Sequence, residues 1–231
     1  MKLNLLLSFF VLCQLSYAQN DSTKFETKGF LDFNAYYDTR EQADFNLNIL
    51  AILPHNFSYF SLTNYVGNTN TADVSGFYTE QNIIWKPLKS VPIKLDLQAV
   101  FKSGDANDAL RFGPRFQITK IKPWRSFFEM INFNYFMTSF FIEGRQGSGI
   151  HWMTQLEHVY KLKLFKNRMY IGGFADQNFQ FDQAKKVSWV TEHQLGLRIF
   201  NEFYLVAEYR INQYLEDDTG LGLGVEYKIV F

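Results

Sequence analysis

Cysteine is almost missing from the 231-residue chain, which has one, Cys13. A disulfide framework and a cysteine-based metal site are therefore excluded. An excess of either charge is missing too. Twenty-three Lys and Arg balance twenty-three Asp and Glu, for a formal net charge of zero. A basic nucleic-acid module or an acidic disordered tail needs an imbalance that is not there. Beyond the first residues, no stretch approaches the roughly 18 consecutive apolar residues of a membrane helix. There is no Gly-rich phosphate loop and no basic stripe for nucleic acid. What is plentiful is aromatic: 25 Phe and 13 Tyr, in a chain only 20% charged.

The N-terminus reads as an export signal. Lys2 supplies a positive start, Leu3 to Leu15 is mostly apolar, and Ser16-Tyr17-Ala18 ends it with small residues three apart. This pattern predicts a secretory signal peptide over 1–18, too short for a membrane span. Bulky Leu12 before Cys13 argues against a lipoprotein site. Cleavage after Ala18 leaves a mature domain, 19–231, without cysteine.

That domain alternates by twos, the period of a strand with two unlike faces. Ile93, Leu95, Leu97, Ala99 and Phe101 share one face, opposite Lys94, Asp96, Gln98 and Lys102. The last strand is the cleanest: Leu221, Leu223, Val225, Tyr227, Ile229 and Phe231 oppose Gly222, Gly224, Glu226 and Lys228. The spacing predicts twelve strands, near 24–38, 42–52, 56–66, 76–86, 92–102, 109–120, 127–141, 149–162, 167–178, 187–199, 203–214 and 220–231, with no helix between them. Strands three and four alternate poorly. Strand seven needs a bulge near Met130, and Gly113-Pro114 suggests another in strand six. The connections alternate between Gly/Asp/Asn-rich and Pro-containing types. A chain with two loop types in alternation runs up and down, and an even strand count brings both termini to one end.

Alternation alone fits two architectures. A soluble sandwich or barrel hides its apolar face. A membrane barrel turns that face to lipid and encloses the polar one. Three features favour the second. The strands approach the 9–11 residues that cross a bilayer, against about 5–6 in soluble sheets. Trp85, Trp124, Trp152 and Trp189 lie at strand ends or turns, where amphipathic rings meet the lipid boundary. The polar face carries Arg111, Arg115, Glu192 and Arg210 in mid-strand, beside Tyr36, Tyr170, Phe174 and Tyr204. The fold expected is all-β: a twelve-stranded antiparallel up-and-down transmembrane β-barrel.

The end of the chain, Val225-Glu226-Tyr227-Lys228-Ile229-Val230-Phe231, resembles the C-terminal signal of Gram-negative outer-membrane barrels. That resemblance implies the cell outer membrane as location, its lipid as surroundings, and the barrel-assembly machinery as a partner through the strand ending at Phe231. The layout of signal peptide, twelve strands, short turns and terminal Phe resembles the nucleoside-specific channel (Tsx-like) family. It implies passive diffusion of small hydrophilic solutes, nucleosides among them.

Candidate site residues follow from hairpin arithmetic. A turn near 200–202 sets Glu192 against Arg210, and a loop near 215–219 sets Glu208 against Glu226. Glu192, Glu208, Arg210 and Glu226 are expected as one cluster. Arg111, Arg115 and Lys102 are expected as a basic wall across the lumen. Such walls either set up a transverse field on passing solutes or merely pair into a structural ladder. Tyr170, Phe174 and Tyr204 either stack flat solutes or fill space. Catalysis is the rival reading, as a lipid-active barrel, with His158 and His193 facing outward and no Ser-His-Asn spacing to support it. A non-conducting anchor or interaction barrel is the other. His151 with Glu157 is too little for a metal site, and Asp217 and Asp218 fit a solvated turn better than a calcium loop. No catalytic residue, metal or cofactor is expected.

Overall fold

The computed structural model describes residues 28–68, 73–104, 107–146, 149–180 and 187–231, without the side chains of 68, 134, 149–153 and 180. Residues 1–18, and the side chains of His151 and Trp152, lie outside that description. The strands are β1 (Lys28–Asp38), β2 (Gln42–Ile52), β3 (Phe57–Asn68), β4 (Val74–Trp85), β5 (Ile93–Lys102), β6 (Ala109–Gln117), β7 (Phe133–Arg145), β8 (Gly149–Leu164), β9 (Met169–Gln180), β10 (Val187–Phe200), β11 (Phe203–Asn212) and β12 (Thr219–Val230). Each pairs antiparallel with its neighbours in the chain, and β12 returns to β1, so the sheet closes. At the seam, Gly29 and Phe231 exchange two backbone hydrogen bonds, of 2.8 and 3.1 Å. Closure leaves no sheet edge, the condition for a sheet to cross hydrocarbon.

The barrel is apolar outside and polar inside. Leu223 is 61% exposed and Leu197 42%, while Arg210 is 9% exposed. Leu97, Leu110, Phe112, Phe140, Leu205 and Ile229 join the outer wall. Asp38, Asn82, Asp96, Gln98, Glu143 and Glu226 are buried within. A soluble domain would have the reverse polarity, because its apolar face must escape water. The fold is a twelve-stranded transmembrane β-barrel.

The strand assignment needs correction between β6 and β7. β6 ends at Gln117, a 3-10 turn covers Ile118–Lys120, and a helix, α1 (Lys122–Met130), follows. The expected strand start at 127 and the bulge near Met130 fall in or beside this helix. Trp124, Phe127, Phe128 and Ile131 recur at i, i+3, i+4 and i+7, a helical signature that strand counting overlooked. Pro123 near its first turn suits a helix start. The expected bulge at Gly113-Pro114 is also absent, since Phe112↔Ile142 and Arg115↔Ser139 keep one register. A Cβ at Gly113 would run into the Phe140 carbonyl, so glycine permits that close approach.

The weak alternation of strands three and four has a physical source. Thr79 and Gln81 of β4 face outward beside lumenal Glu80 and Asn82, so both faces are polar. The outer set satisfies itself: Gln81 Nε2 donates to Thr79 Oγ1 at 2.7 Å and to Ser61 Oγ at 2.9 Å, and Tyr59 donates to Gln81. Self-pairing lowers the cost of placing these groups on a hydrocarbon-facing wall.

Candidate functional site in the barrel interior

Three arginines organise the interior, each in the same way. Arg111 on β6 donates through Nε to Glu143 on β7 at 2.7 Å and through Nη1 to Gln98 on β5 at 2.9 Å. Glu80 on β4 stands further off, 3.7 Å from Nη1. Arg115, four residues on and on the same face, meets Asp96 on β5 at 2.5 Å and donates to Asn82 on β4 at 3.0 Å. Its second carboxylate, Glu157 on β8, is 3.5 Å away. Arg210 on β11 donates to Glu208 on its own strand and to Asp44 on β2. Glu192, opposite it in the β10–β11 register, is 3.9 Å away.

Each arginine thus has at least one close, buried carboxylate and one loose carboxylate that is partly open. The close partners Glu143, Asp96, Asp44 and Glu208 have side-chain exposures of 4% or less, against 16% for Glu80, 15% for Glu157 and 20% for Glu192. The arginine charge is spent on the close partners. Glu80, Glu157 and Glu192 therefore stand in the outer shell of these arginines.

A third group lies toward the end of the barrel that carries the termini. Lys228 Nζ meets Glu226 at 2.6 Å and Asp32 at 3.1 Å. Tyr170 on β9 donates to Glu226 on β12. The Tyr170 ring packs edge-on to Tyr204, 5.5 Å between centroids, with the Lys161 ammonium 3.8 Å from its centre. Gly196 leaves room for that ring, where a Cβ would overlap it. At the opposite end, Arg40 in the β1–β2 turn folds back on Asp38 at 2.7 Å, and this hydrogen bond raises the guanidinium pKa above its ordinary value.

All nine expected site residues lie on strands lining the interior, but two expected groupings do not form. Glu192 does face Arg210, and Gln194 does face Glu208. Glu208, however, faces Gly222, and Glu226 faces Tyr204, because the β11–β12 register is four residues from the expected one. Glu226 therefore belongs to the Lys228 group. Arg111 and Arg115 form no bare basic wall, being matched by carboxylates; Lys102 aligns with Tyr78 instead. Phe174 sits opposite Glu192 in the register. Asp44, Glu80, Asp96, Glu143, Glu157 and Asp176 were not among the expected site residues. Strand parity points to them; Asp96, Glu143 and Asp176 find partners on neighbouring strands, and Asp44 alone finds one 166 positions away. On the outer wall, His158 Nδ1 is 3.1 Å from Thr138 Oγ1, and His193 Nδ1 is 2.7 Å from the Tyr160 hydroxyl. Among the described residues no three His, Cys, Asp or Glu side chains are grouped as metal ligands.

This is the fold and interior of a closed transmembrane barrel with a charged lumen. The sequence matches no family model and no curated protein. Among solved structures it is similar to the NanC porin, with a TM-score of 0.58, 10% identity, and coverage of 86% of this chain and 100% of that one. It is also similar to the KdgM porin, with a TM-score of 0.50, 11% identity, and coverage of 86% and 98%. KdgM has also been solved in complex with disordered oligogalacturonate. At such identities the likeness is one of fold.

Proposed function

We propose that the protein is an outer-membrane channel for small hydrophilic solutes, with a preference for cationic and neutral solutes over anions. The observation that carries this reading is the set Glu80, Glu157 and Glu192, which stand 3.5–3.9 Å from arginines that already hold closer carboxylates. Fixed charge of one sign in a low-dielectric cylinder raises the local concentration of the opposite sign. Porin-fold neighbours, the export signal read at 1–18 and the C-terminal Phe231 strand support an outer-membrane location. The barrel-assembly machinery is the partner that the last strand implies.

Nucleosides are one solute class to test. Tyr170 and Tyr204 are occupied with each other, with Glu226 and with Lys161, which leaves Phe174 as the ring best placed to meet a base. Stacking on one ring contributes about 1–3 kcal/mol, weak enough for release.

A second reading is favoured by the near-complete burial of Asp38, Asn82, Asp96 and Glu226, together with bonds that cross the interior: a barrel closed by its own side chains. Reconstitution separates the two. Liposomes holding the protein should swell in sugars, neutral amino acids and nucleosides, and planar bilayers should show current. Exclusion of every solute, with no current, would leave the closed barrel. Release of fatty acid from the same liposomes, lost in His158→Ala or His193→Ala, would instead favour a lipid-active barrel.

A further inference from the structure

The helix α1 stands outside the barrel's repeating pattern. Its nine residues are too few to hold a helix in water unaided. Trp124, Phe127, Phe128 and Ile131 form one face, and Lys122, Arg125 and Glu129 the other. The apolar face is only partly used by the protein, with Trp124 55% exposed and Phe127 45%. The rings it presents continue onto the hydrocarbon-facing wall. Trp124 packs edge-on to Phe127 at 6.5 Å, Phe127 to Phe128 at 5.5 Å, and Phe128 meets Phe133 at 5.5 Å and Phe136 at 6.2 Å. Phe133 stacks on Tyr160, and Tyr160 meets the outward-facing His193 at a tilt, 5.9 Å between centroids. The helix is thus a sideways extension of the surface that meets lipid, placed where the β6–β7 connection leaves the sheet.

Beneath the polar side of the helix is a cleft of about 270 Å³, lined by Thr119, Lys120, Arg125, Phe128, Glu129 and Phe133 among others. Its composition is that of a boundary: the cations of Lys120 and Arg125, the Glu129 carboxylate that Arg125 holds, and the polar groups of Thr119 and Asn132, beside two rings. Thr119 is 7% exposed, and its Oγ1 has no hydrogen-bond partner. A buried hydroxyl without a partner is costly unless something completes it. Arg125 Nε bonds Glu129 at 2.8 Å, with both side chains largely in the open, so the guanidinium can turn to a better acceptor.

We propose that α1 is an in-plane membrane anchor, and that the cleft behind it holds the phosphate of an anionic phospholipid headgroup. Lys120 and Arg125 supply charge, Thr119 supplies a hydroxyl, and the acyl chains run along Phe128, Phe133 and Phe136. Amphipathic helices with Trp and Phe on one side and basic residues on the other lie at this depth. Basic groups near an anionic surface add electrostatic attraction. This inference rests on the membrane-barrel fold and not on conduction.

The test uses the full protein in detergent and in vesicles. In native mass spectrometry the wild type should retain phosphatidylglycerol over phosphatidylcholine, and Lys120→Gln/Arg125→Gln should lose that preference by several-fold. Thr119→Val should weaken it with the barrel signal in circular dichroism intact. In vesicles, the fluorescence difference between wild type and Trp124→Phe isolates Trp124. That signal should be quenched by lipids brominated near the headgroup and shielded from aqueous iodide. Unchanged lipid retention in the double variant would overturn the proposal, and so would a Trp124 equally open to iodide in vesicles and in detergent. Displacement of phosphatidylglycerol by equimolar inorganic phosphate would show a free-phosphate site and overturn it as well.

Discussion

Arg210 on β11 donates to Asp44 on β2, reaching past β12 and β1 to do so. Gln194 on β10 makes a parallel reach to the Tyr36 hydroxyl on β1, at 2.9 Å, and Tyr170 on β9 reaches Glu226 on β12. Each crosses two intervening strands, and all three fall on the β9–β2 side of the barrel. On the other side, Arg115 reaches Asn82 and Glu157, crossing one strand each way. The interior is braced along both walls, and Glu157 is itself the outer end of the Arg115 brace.

Breaking the Arg210 brace should both weaken and open the barrel. Asp44→Asn leaves Arg210 with Glu208 and Glu192 but removes its reach across the seam. Removing one partner of a buried pair costs about 3–5 kcal/mol, with the lower end expected where lumenal water can enter. A lower temperature for the heat-induced gel-mobility shift, together with a larger single-channel current, is the expected outcome. Unchanged current would mean that the brace does not limit the path.

Charge selectivity should reside in the loose carboxylates and not in the tight ones. Glu80→Gln, Glu157→Gln and Glu192→Gln together should move the reversal potential in a potassium chloride gradient toward chloride, by a several-fold change in permeability ratio. The effect should shrink at high salt, where the Debye length falls to roughly 3 Å. Conduction with anion preference in the wild type would reject the assigned selectivity while keeping the channel.

The outer wall makes the opposite demand. Leu223→Arg places a cation where the side chain is 61% exposed to hydrocarbon. Such a change costs about 2–4 kcal/mol near the bilayer midplane and less toward either boundary. Folding titrations into bilayers measure it directly. A neutral result would contradict the inside-out polarity.

Gly196→Ala should destabilise through Tyr170. The added methyl meets the Tyr170 ring, which Tyr204 and the bond to Glu226 hold in place. Overpacking of this kind costs about 1–3 kcal/mol. Pairing it with Tyr170→Ala should recover much of the loss; strict additivity in the double variant would show that the two positions are not coupled.

Reading period two along the chain was enough for the class of fold, because a strand sorts its side chains by parity before any partner is chosen. Leu197 and Leu223 outward with Arg210 inward follow from that sorting. So does the Glu192–Arg210 pair, since a two-residue turn at Asn201-Glu202 fixes a hairpin locally. The β11–β12 register was not legible, because six residues separate those strands and loop length does not set alignment. The helix at Lys122–Met130 carried a helical spacing, but one that a neighbouring strand pattern masked. The braces were beyond reach of sequence altogether. Asp44 and Arg210 stand 166 positions apart, and nothing in either strand names the other. Only closure of the sheet, by setting β1 beside β12, brings such residues within bonding distance, and so decides which arginines are silenced and which carboxylates stay open.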